Sequence, residues 1–283
     1  QCSILPMGAP TDVGQDSQAG TDFLGTEHGE IRVRKRNRDH GLPVGAVGGI
    51  RSAGEVDEQD APALELGAGL GQLEGDGYLH LPLFLSPADA ARMRAALLTV
   101  TQVGWQPVFS FVYDEFWHAM GNLSPLLAAS LGQSYRQLPD FWAWLITPSN
   151  DDRGWAPHRD HPEREVDARG APTSLSLWVP LTDATPDNGC IHVVPAHWDP
   201  QYLNPKATPE VLFLQSIRAL PAAAGSVLGW TSKLLHWGAM ADAHAPPRIS
   251  ISFEYQAAAA PLYDGVHYPL GYLPSATERR TLI

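Results

Sequence analysis

Short segments in which apolar and polar residues alternate dominate the chain from residue 141 onward. Alternation with a period of two is typical of strands that bury one face. Few helical patterns separate these segments, and Asn188-Gly189 between two of them is a strong signal for a hairpin-type turn. The pattern therefore predicts a mainly β fold, a sandwich or jelly roll with flanking helices. The segments that show it are 141–147, 174–181, 190–195, 225–230 and 248–256.

The front of the chain has a different character. Residues 1–76 contain one aromatic residue, Phe23, whereas every Trp and Tyr lies at or after Tyr78. A segment with so few large apolar groups cannot offset its ordering entropy by burial. We therefore expect residues 1–76 to be poorly structured or loosely attached, and residues 77–283 to form the folded domain. The basic run at 32–38 is interpreted as a solvated charged segment.

Two helices are predicted in the body before the strands. An apolar stretch at 78–85 predicts a strand, and Ser86-Pro87 after it supplies a capping hydroxyl and a first-turn proline. The helical spacing of apolar residues that follows predicts a helix over 90–100. A second helix is predicted over 124–131, ended by Gly132.

Charge and cysteine content narrow the classes of partner. The formal net charge is −12, which disfavours nucleic acid and anionic membranes as partners. Two cysteines, Cys2 and Cys190, are too few for a disulfide scaffold. No apolar stretch is long enough to span a bilayer, and the first residues lack the features of a secretory signal. We expect a cytoplasmic protein with a small-molecule substrate; the sequence does not predict its oligomeric state.

Three residues form a candidate metal site. His158 and Asp160 are two positions apart, so on an extended strand both side chains leave the same face. An imidazole and a carboxylate side by side can occupy neighbouring positions on one ion. His236, which follows the strand predicted at 225–230, would complete a set of two histidines and one carboxylate. That set leaves three positions open, as non-haem Fe(II) oxygenases require.

Arg248 is a candidate anion-binding residue. It begins an apolar strand in which Ile249 and Ile251 alternate with Arg248, Ser250 and Ser252. An arginine that points into a barrel between hydroxyl groups needs an anion. A dicarboxylate fits, because guanidinium binds carboxylate through two parallel hydrogen bonds.

The chain from about Tyr78 to Gln256 resembles the phytanoyl-CoA dioxygenase family of Fe(II)/2-oxoglutarate-dependent oxygenases. The strand and the Ser86-Pro87 helix at its start are similar to that family's opening. The other matching pieces, in order along the chain, are His158-Arg159-Asp160, residues 175–181, Asn188-Gly189-Cys190 leading to Pro195-Ala196-His197, His236 and Arg248.

The resemblance implies a double-stranded β-helix, that is, a cupin-like jelly roll. It implies that His158, Asp160 and His236 bind Fe(II), and that Arg248, with Ser250, binds the distal carboxylate of 2-oxoglutarate. With O2 as the other cosubstrate, the implied reaction hydroxylates a small organic molecule and releases succinate and CO2. The family's acyl-CoA substrate is not carried over.

Two further residues are candidates for the cosubstrate pocket. Trp178 lies on the predicted strand 174–181 with its side chain on the face opposite Leu177, and His197 follows Pro195-Ala196. The family commonly has Gly-Ser before the matching histidine, and this chain does not. The charged stretch 161–171 is interpreted as a lid or an insertion.

Other functions remain open at this point. The same fold and metal support desaturation, epimerisation or ring formation, which only product analysis separates. Two histidines and an aspartate also suit the zinc of a hydrolase, although a hydrolase needs no buried dicarboxylate anchor such as Arg248. A non-catalytic β-sandwich that binds a ligand would not need all three metal ligands.

Overall fold

A computed structural model describes residues 63–82, 84–148, 155–161, 172–203, 213–262, 267–268 and 272–282. The expectations for residues 1–62, including the basic run at 32–38, fall outside these ranges, as does nearly all of the stretch interpreted as a lid. Among the described residues, no helix has the length and apolar character needed to cross a bilayer.

Helices occupy mainly the first half of the described chain, and strands the second. The helices are α1 (Ala63–Asp76), α2 (Pro87–Gln102), α3 (Asp114–Gly121), α4 (Ser124–Leu131) and α5 (Ala276–Leu282). The strands are β1 (Tyr78–Leu81), β2 (Tyr135–Ile146), β3 (Ser174–Pro180), β4 (Ile191–Val194), β5 (Arg218–Leu220), β6 (Val227–Thr231), β7 (Leu235–Gly238) and β8 (Arg248–Ala257).

The strands form two antiparallel sheets. The major sheet has the order β1-β6-β3-β8-β2, and the minor sheet has the order β5-β4-β7. Chain neighbours are mostly separated in the sheets, which is the connectivity of a jelly roll rather than a meander. The predicted fold class, a double-stranded β-helix with flanking helices, is confirmed.

The two faces of the major sheet have different partners. On the outer face, Leu177, Ile251 and Phe253 pack with the apolar sides of the helices, including Leu97 and Leu127, in the larger core. The inner face carries the alternate residues of the same strands. Some of these pack against Ile191 and Val193 of the minor sheet in a second core that contains Trp178, Leu228 and Trp230.

The capping signals read from the sequence are present. The Ser86 hydroxyl accepts a hydrogen bond from the Asp89 amide at 3.1 Å, and Pro87 begins α2. Helix α4 ends at Gly132, which has a φ of 89°, a conformation that side-chain-bearing residues adopt at a cost.

Helix α1 adds residues before position 77 to the packed part of the described chain. Helix α1 spans residues within the segment expected to be poorly structured, and its Leu73 is buried while Leu66 and Leu70 pack against the larger core. These leucines recur at intervals of four and three, so they lie on one helical face. The sequence analysis gave weight to the low aromatic content of residues 1–76 and did not recognise this stripe of leucines.

The Asn188-Gly189 turn does not form the expected hairpin. Both edges of β3 are already paired, with β6 and β8, so the chain crosses to the minor sheet and begins β4 there. The Asn188 side chain stabilises the crossing: its Oδ1 accepts from the Thr185 amide and its Nδ2 donates to the Asp183 carbonyl. Gly189, with a φ of 84°, completes the turn.

Candidate metal centre

Backbone pairing brings the two predicted histidine ligands side by side. His158 and His236 form an antiparallel bridge in which each amide donates to the other residue's carbonyl at 3.0 Å. Their imidazole rings therefore lie with centroids 4.4 Å apart. His236 is buried on β7, whereas His158 is partly exposed.

Asp160 completes the cluster. Its Oδ1 atom lies 3.4 Å from the Nε2 atom of His158 and 3.4 Å from the Nε2 atom of His236. Two ligand atoms that are each about 2.1 Å from one ion lie about 3.0–3.4 Å apart at angles between octahedral and tetrahedral. The structure thus brings together the three residues that the sequence nominated, at a spacing that fits a single metal ion.

Two backbone carbonyls orient the imidazoles. The Nδ1 atom of His158 lies 2.8 Å from the Ala156 carbonyl oxygen, and the Nδ1 atom of His236 lies 3.0 Å from the Leu234 carbonyl oxygen. A carbonyl only accepts, so each Nδ1 donates to it, and Nε2 is the nitrogen that is left to face a metal ion. This outer contact fixes the tautomer that a metal-binding histidine needs.

The second oxygen of the Asp160 carboxylate is engaged by the major sheet. Its Oδ2 atom accepts hydrogen bonds from the Ser176 hydroxyl at 2.7 Å and from the Trp230 indole N–H at 2.9 Å. Oδ1 therefore faces the histidines, and Oδ2 is bound by Ser176 and Trp230 on the opposite side.

The charge states suit metal binding. Burial lowers the pKa of His236 to about 4, and the nearby Asp160 carboxylate opposes this shift only in part. Burial acts to raise the pKa of Asp160, but His236, His158 and the Ser176 hydroxyl together hold it well below its usual range. Near neutral pH the centre therefore contains a carboxylate and a neutral His236 imidazole, the forms that bind metals.

Arg248 lies at one end of the inner face of the major sheet. Arg248 is 3% exposed. Its Nη1 atom donates to the Ser250 hydroxyl at 3.0 Å, and its guanidinium carbon lies 5.5 Å from the centre of the Trp178 ring. A side chain at Gly238 on β7 would meet the Arg248 Nη2 atom, so the guanidinium reaches the strand that carries His236. Arg248, Ser250 and Trp178 are thus neighbours, as a shared cosubstrate site requires.

His197 contacts helix α1. It lies in the short helix Ala196–Trp198, where its Nδ1 atom is 2.9 Å from an Asp76 carboxylate oxygen of α1 and its ring contacts Trp198. Nearly half of its side chain is exposed. The contacts described for His197 are those of a residue that ties α1 to the minor sheet, so we do not carry it into the proposed cosubstrate site.

The residue between the two ligands points away from the metal centre. Arg159 is buried, with its Nη1 atom 2.7 Å from an Asp199 carboxylate oxygen and 2.8 Å from the Lys233 carbonyl oxygen. These two contacts of Arg159 anchor the segment that carries His158 and Asp160, which we call the ligand-bearing segment. Sequence analysis did not identify this ion pair, because nothing local to either residue marks the other.

Glu254 is a further inner-face residue that sequence analysis missed. It continues the alternation of Arg248, Ser250 and Ser252 on β8 and is 5% exposed. It is the register partner of Ser176, and its carboxylate lies 3.4 Å from the His161 imidazole. The interior beside the metal centre is thus acidic at the end opposite Arg248. The unbroken alternation along 248–256 was the available signal for it.

Comparison with protein families identifies a family to which the chain is similar. The family model described as Phytanoyl-CoA dioxygenase matches residues 73–241, which include all three candidate ligands. A search of curated protein sequences finds no significant match to the chain.

Several solved structures share the fold. The epimerase SnoN, in complex with Fe3+, alpha ketoglutarate and nogalamycin RO, is 20% identical with a TM-score of 0.56, over 71% of this chain and 87% of SnoN. AviO1 from Streptomyces viridochromogenes Tue57 is 21% identical with a TM-score of 0.53, over 70% and 98%. The non-heme monooxygenase ThoJ in its apo form is 16% identical with a TM-score of 0.57, over 75% and 96%.

Proposed function

The chain belongs to the phytanoyl-CoA dioxygenase family, and on that basis we propose that His158, Asp160 and His236 bind Fe(II) for a 2-oxoglutarate-dependent oxygenation. The observation that carries the proposal is the position of the Asp160 Oδ1 atom, 3.4 Å from both histidine Nε2 atoms. Both Nε2 atoms face this oxygen, His236 is neutral near pH 7, and the Asp160 carboxylate is ionised. The donor set is that of a facial triad with three further positions free for other ligands.

Arg248 supports a role for 2-oxoglutarate rather than hydrolytic chemistry. The buried Arg248 guanidinium donates a hydrogen bond to the Ser250 hydroxyl. The distal carboxylate of 2-oxoglutarate would bind such a guanidinium through two parallel hydrogen bonds, the bidentate geometry that guanidinium prefers. The Trp178 ring beside it gives an apolar wall for the carbon chain of the diacid. A zinc hydrolase would have no use for this anchor.

The protein contributes binding and orientation to the reaction. Bound Fe(II) with 2-oxoglutarate and O2 supplies the oxidising chemistry, with succinate and CO2 as coproducts. The backbone carbonyls of Ala156 and Leu234 orient the imidazoles. The rings of Trp178 and Trp230 are buried and form an apolar part of the inner face of the major sheet.

Hydroxylation of a small organic molecule is the outcome we propose. The same site is compatible with epimerisation, and the shared fold of the epimerase SnoN makes this the main alternative. A hydroxylated product gains one oxygen atom, whereas an epimer has the same mass as the substrate. We keep the cytoplasmic location as a proposal, which rests on the low cysteine content and the free Cys190 thiol.

Succinate release tests the proposal. Purified protein is incubated with Fe(II) and 2-oxoglutarate, then exposed to O2 with candidate small molecules. We expect the wild-type chain to release succinate and His236→Ala to release none. Asp187→Ala, which removes an exposed carboxylate from the turn before β4, serves as the control and should match the wild type. Absence of succinate from the wild type, with and without added molecules, would overturn the proposal.

A further inference from the structure

We propose that Trp230 and Ser176 are positioning residues for the metal centre, which together fix Asp160 as a ligand through one oxygen. This inference rests on the proposed function, because it assumes that Asp160 binds the metal. It concerns two residues of the major sheet, neither of which is itself a metal ligand.

The two donors converge because of strand register. Ser176 on β3 and Trp230 on β6 are direct cross-strand partners, so both side chains leave the inner face of the sheet at the same level. The Ser176 O–H and the Trp230 indole N–H both reach Asp160 Oδ2, at 2.7 and 2.9 Å. An ionised carboxylate oxygen has two lone-pair sites, and these two donors occupy both of them. Only Oδ1 is left for the ion, and it is the atom that faces the histidines.

Trp230 also contacts a second ligand. Its ring lies 4.6 Å, centroid to centroid, from the imidazole of His236, at an interplanar angle of 40°. One indole therefore restrains the carboxylate through its N–H and the imidazole through its face. Trp230 is 4% exposed and Ser176 is 8% exposed, so water does not readily replace either contact. The loss of an outer contact of this kind typically weakens metal binding by about 10- to 100-fold.

Paired variants separate the hydrogen bonds from packing. Trp230→Phe removes the N–H and retains a ring beside His236, while Ser176→Ala removes the hydroxyl. Ser176→Thr retains the hydroxyl on the same strand. Trp237→Phe is the matched control: Trp237 follows His236 on β7, and its ring stacks on His192.

The probe is Mn(II) alone, titrated calorimetrically into each metal-free protein, with thermal unfolding of the same samples recorded in parallel. We expect one site in the wild type, a dissociation constant about 10- to 100-fold higher for Trp230→Phe and Ser176→Ala, and values near the wild type for Ser176→Thr and Trp237→Phe. Wild-type affinity in both Trp230→Phe and Ser176→Ala would overturn the inference while leaving the proposed function intact. If Trp230→Phe fails to fold, the Ser176 pair still decides the question. A wild type that binds no Mn(II) would overturn both proposals.

Discussion

The Asp160 carboxylate and the His236 imidazole come within 3.4 Å although they belong to distant parts of the chain. The bridge between His158 and His236 joins those parts, and Asp160 follows two residues later. The metal centre is therefore a consequence of one backbone pairing between the ligand-bearing segment and β7. Because this pairing fixes His158 and His236 at once, substitutions in the ligand-bearing segment should affect metal binding more than substitutions elsewhere.

Replacement of the carboxylate ligand should abolish metal binding and turnover. Asp160→Ala removes the only anionic ligand among the three and leaves the two imidazoles without a charged partner. We expect no succinate release and no detectable Mn(II) binding by calorimetry, with Asp187→Ala unchanged. Turnover at the wild-type rate in Asp160→Ala would show that the carboxylate is not a ligand.

Arg248 should control affinity for 2-oxoglutarate without controlling affinity for the metal. Truncation of one partner of a buried, hydrogen-bonded charge pair costs about 2–5 kcal/mol, which corresponds to roughly 30-fold to a few thousand-fold in affinity. We expect Arg248→Ala to weaken 2-oxoglutarate binding to the Mn(II)-loaded protein by this factor. The 2-oxoglutarate affinity of Arg248→Lys should lie between those of the wild type and Arg248→Ala, because lysine keeps the charge and loses the bidentate geometry. Equal 2-oxoglutarate affinity in all three proteins would rule out the anchor.

The buried ion pair behind the metal centre should matter for stability. Arg159 and Asp199 are almost completely buried, and removal of one partner leaves an uncompensated charge. We expect Arg159→Ala to lower the free energy of unfolding by about 3–5 kcal/mol, measured by urea denaturation of the metal-free protein. The double variant Arg159→Met with Asp199→Leu should show a smaller decrease in the free energy of unfolding than Arg159→Ala. If it loses as much, packing rather than charge explains the effect.

Gly229 should be intolerant of even one added methyl group. A Cβ atom there would lie 2.7 Å from the Leu177 Cδ2 atom, inside the larger core next to Trp230. We expect Gly229→Ala to destabilise the fold by about 1–3 kcal/mol through overpacking. The same substitution at Gly71, in an open position on α1, should stabilise it by about 0.4–1 kcal/mol. Thermal unfolding should show a lower melting temperature for Gly229→Ala and a higher one for Gly71→Ala than for the wild type.

Local signals in the sequence predicted most of the elements around the site. The Ser86 cap, the Gly132 stop and the alternation along β3 and β8 depend on residues close together in the chain, and the structure confirms them. The His158 and Asp160 spacing also indicated that these two side chains are neighbours, and they lie 3.4 Å apart. Local patterns suffice for such features because their physical cause is local.

The features that sequence analysis missed depend on contacts between distant residues. The convergence of Trp230 and Ser176 on Asp160 requires the register between β3 and β6, which no single segment encodes. The crossing at Asn188-Gly189 was misread as a hairpin because a turn signal does not say which sheet receives the next strand. The setting of His197 depends on α1, whose leucine stripe was not recognised.

An anomalous-scattering map of crystals grown with Mn(II) tests the central claim most directly. The account predicts one peak within bonding distance of His158 Nε2, Asp160 Oδ1 and His236 Nε2, with Asp160 Oδ2 still bound to Ser176 and Trp230. A peak that any one of these three ligand atoms does not reach, or a fully occupied peak elsewhere with none at this cluster, would contradict it.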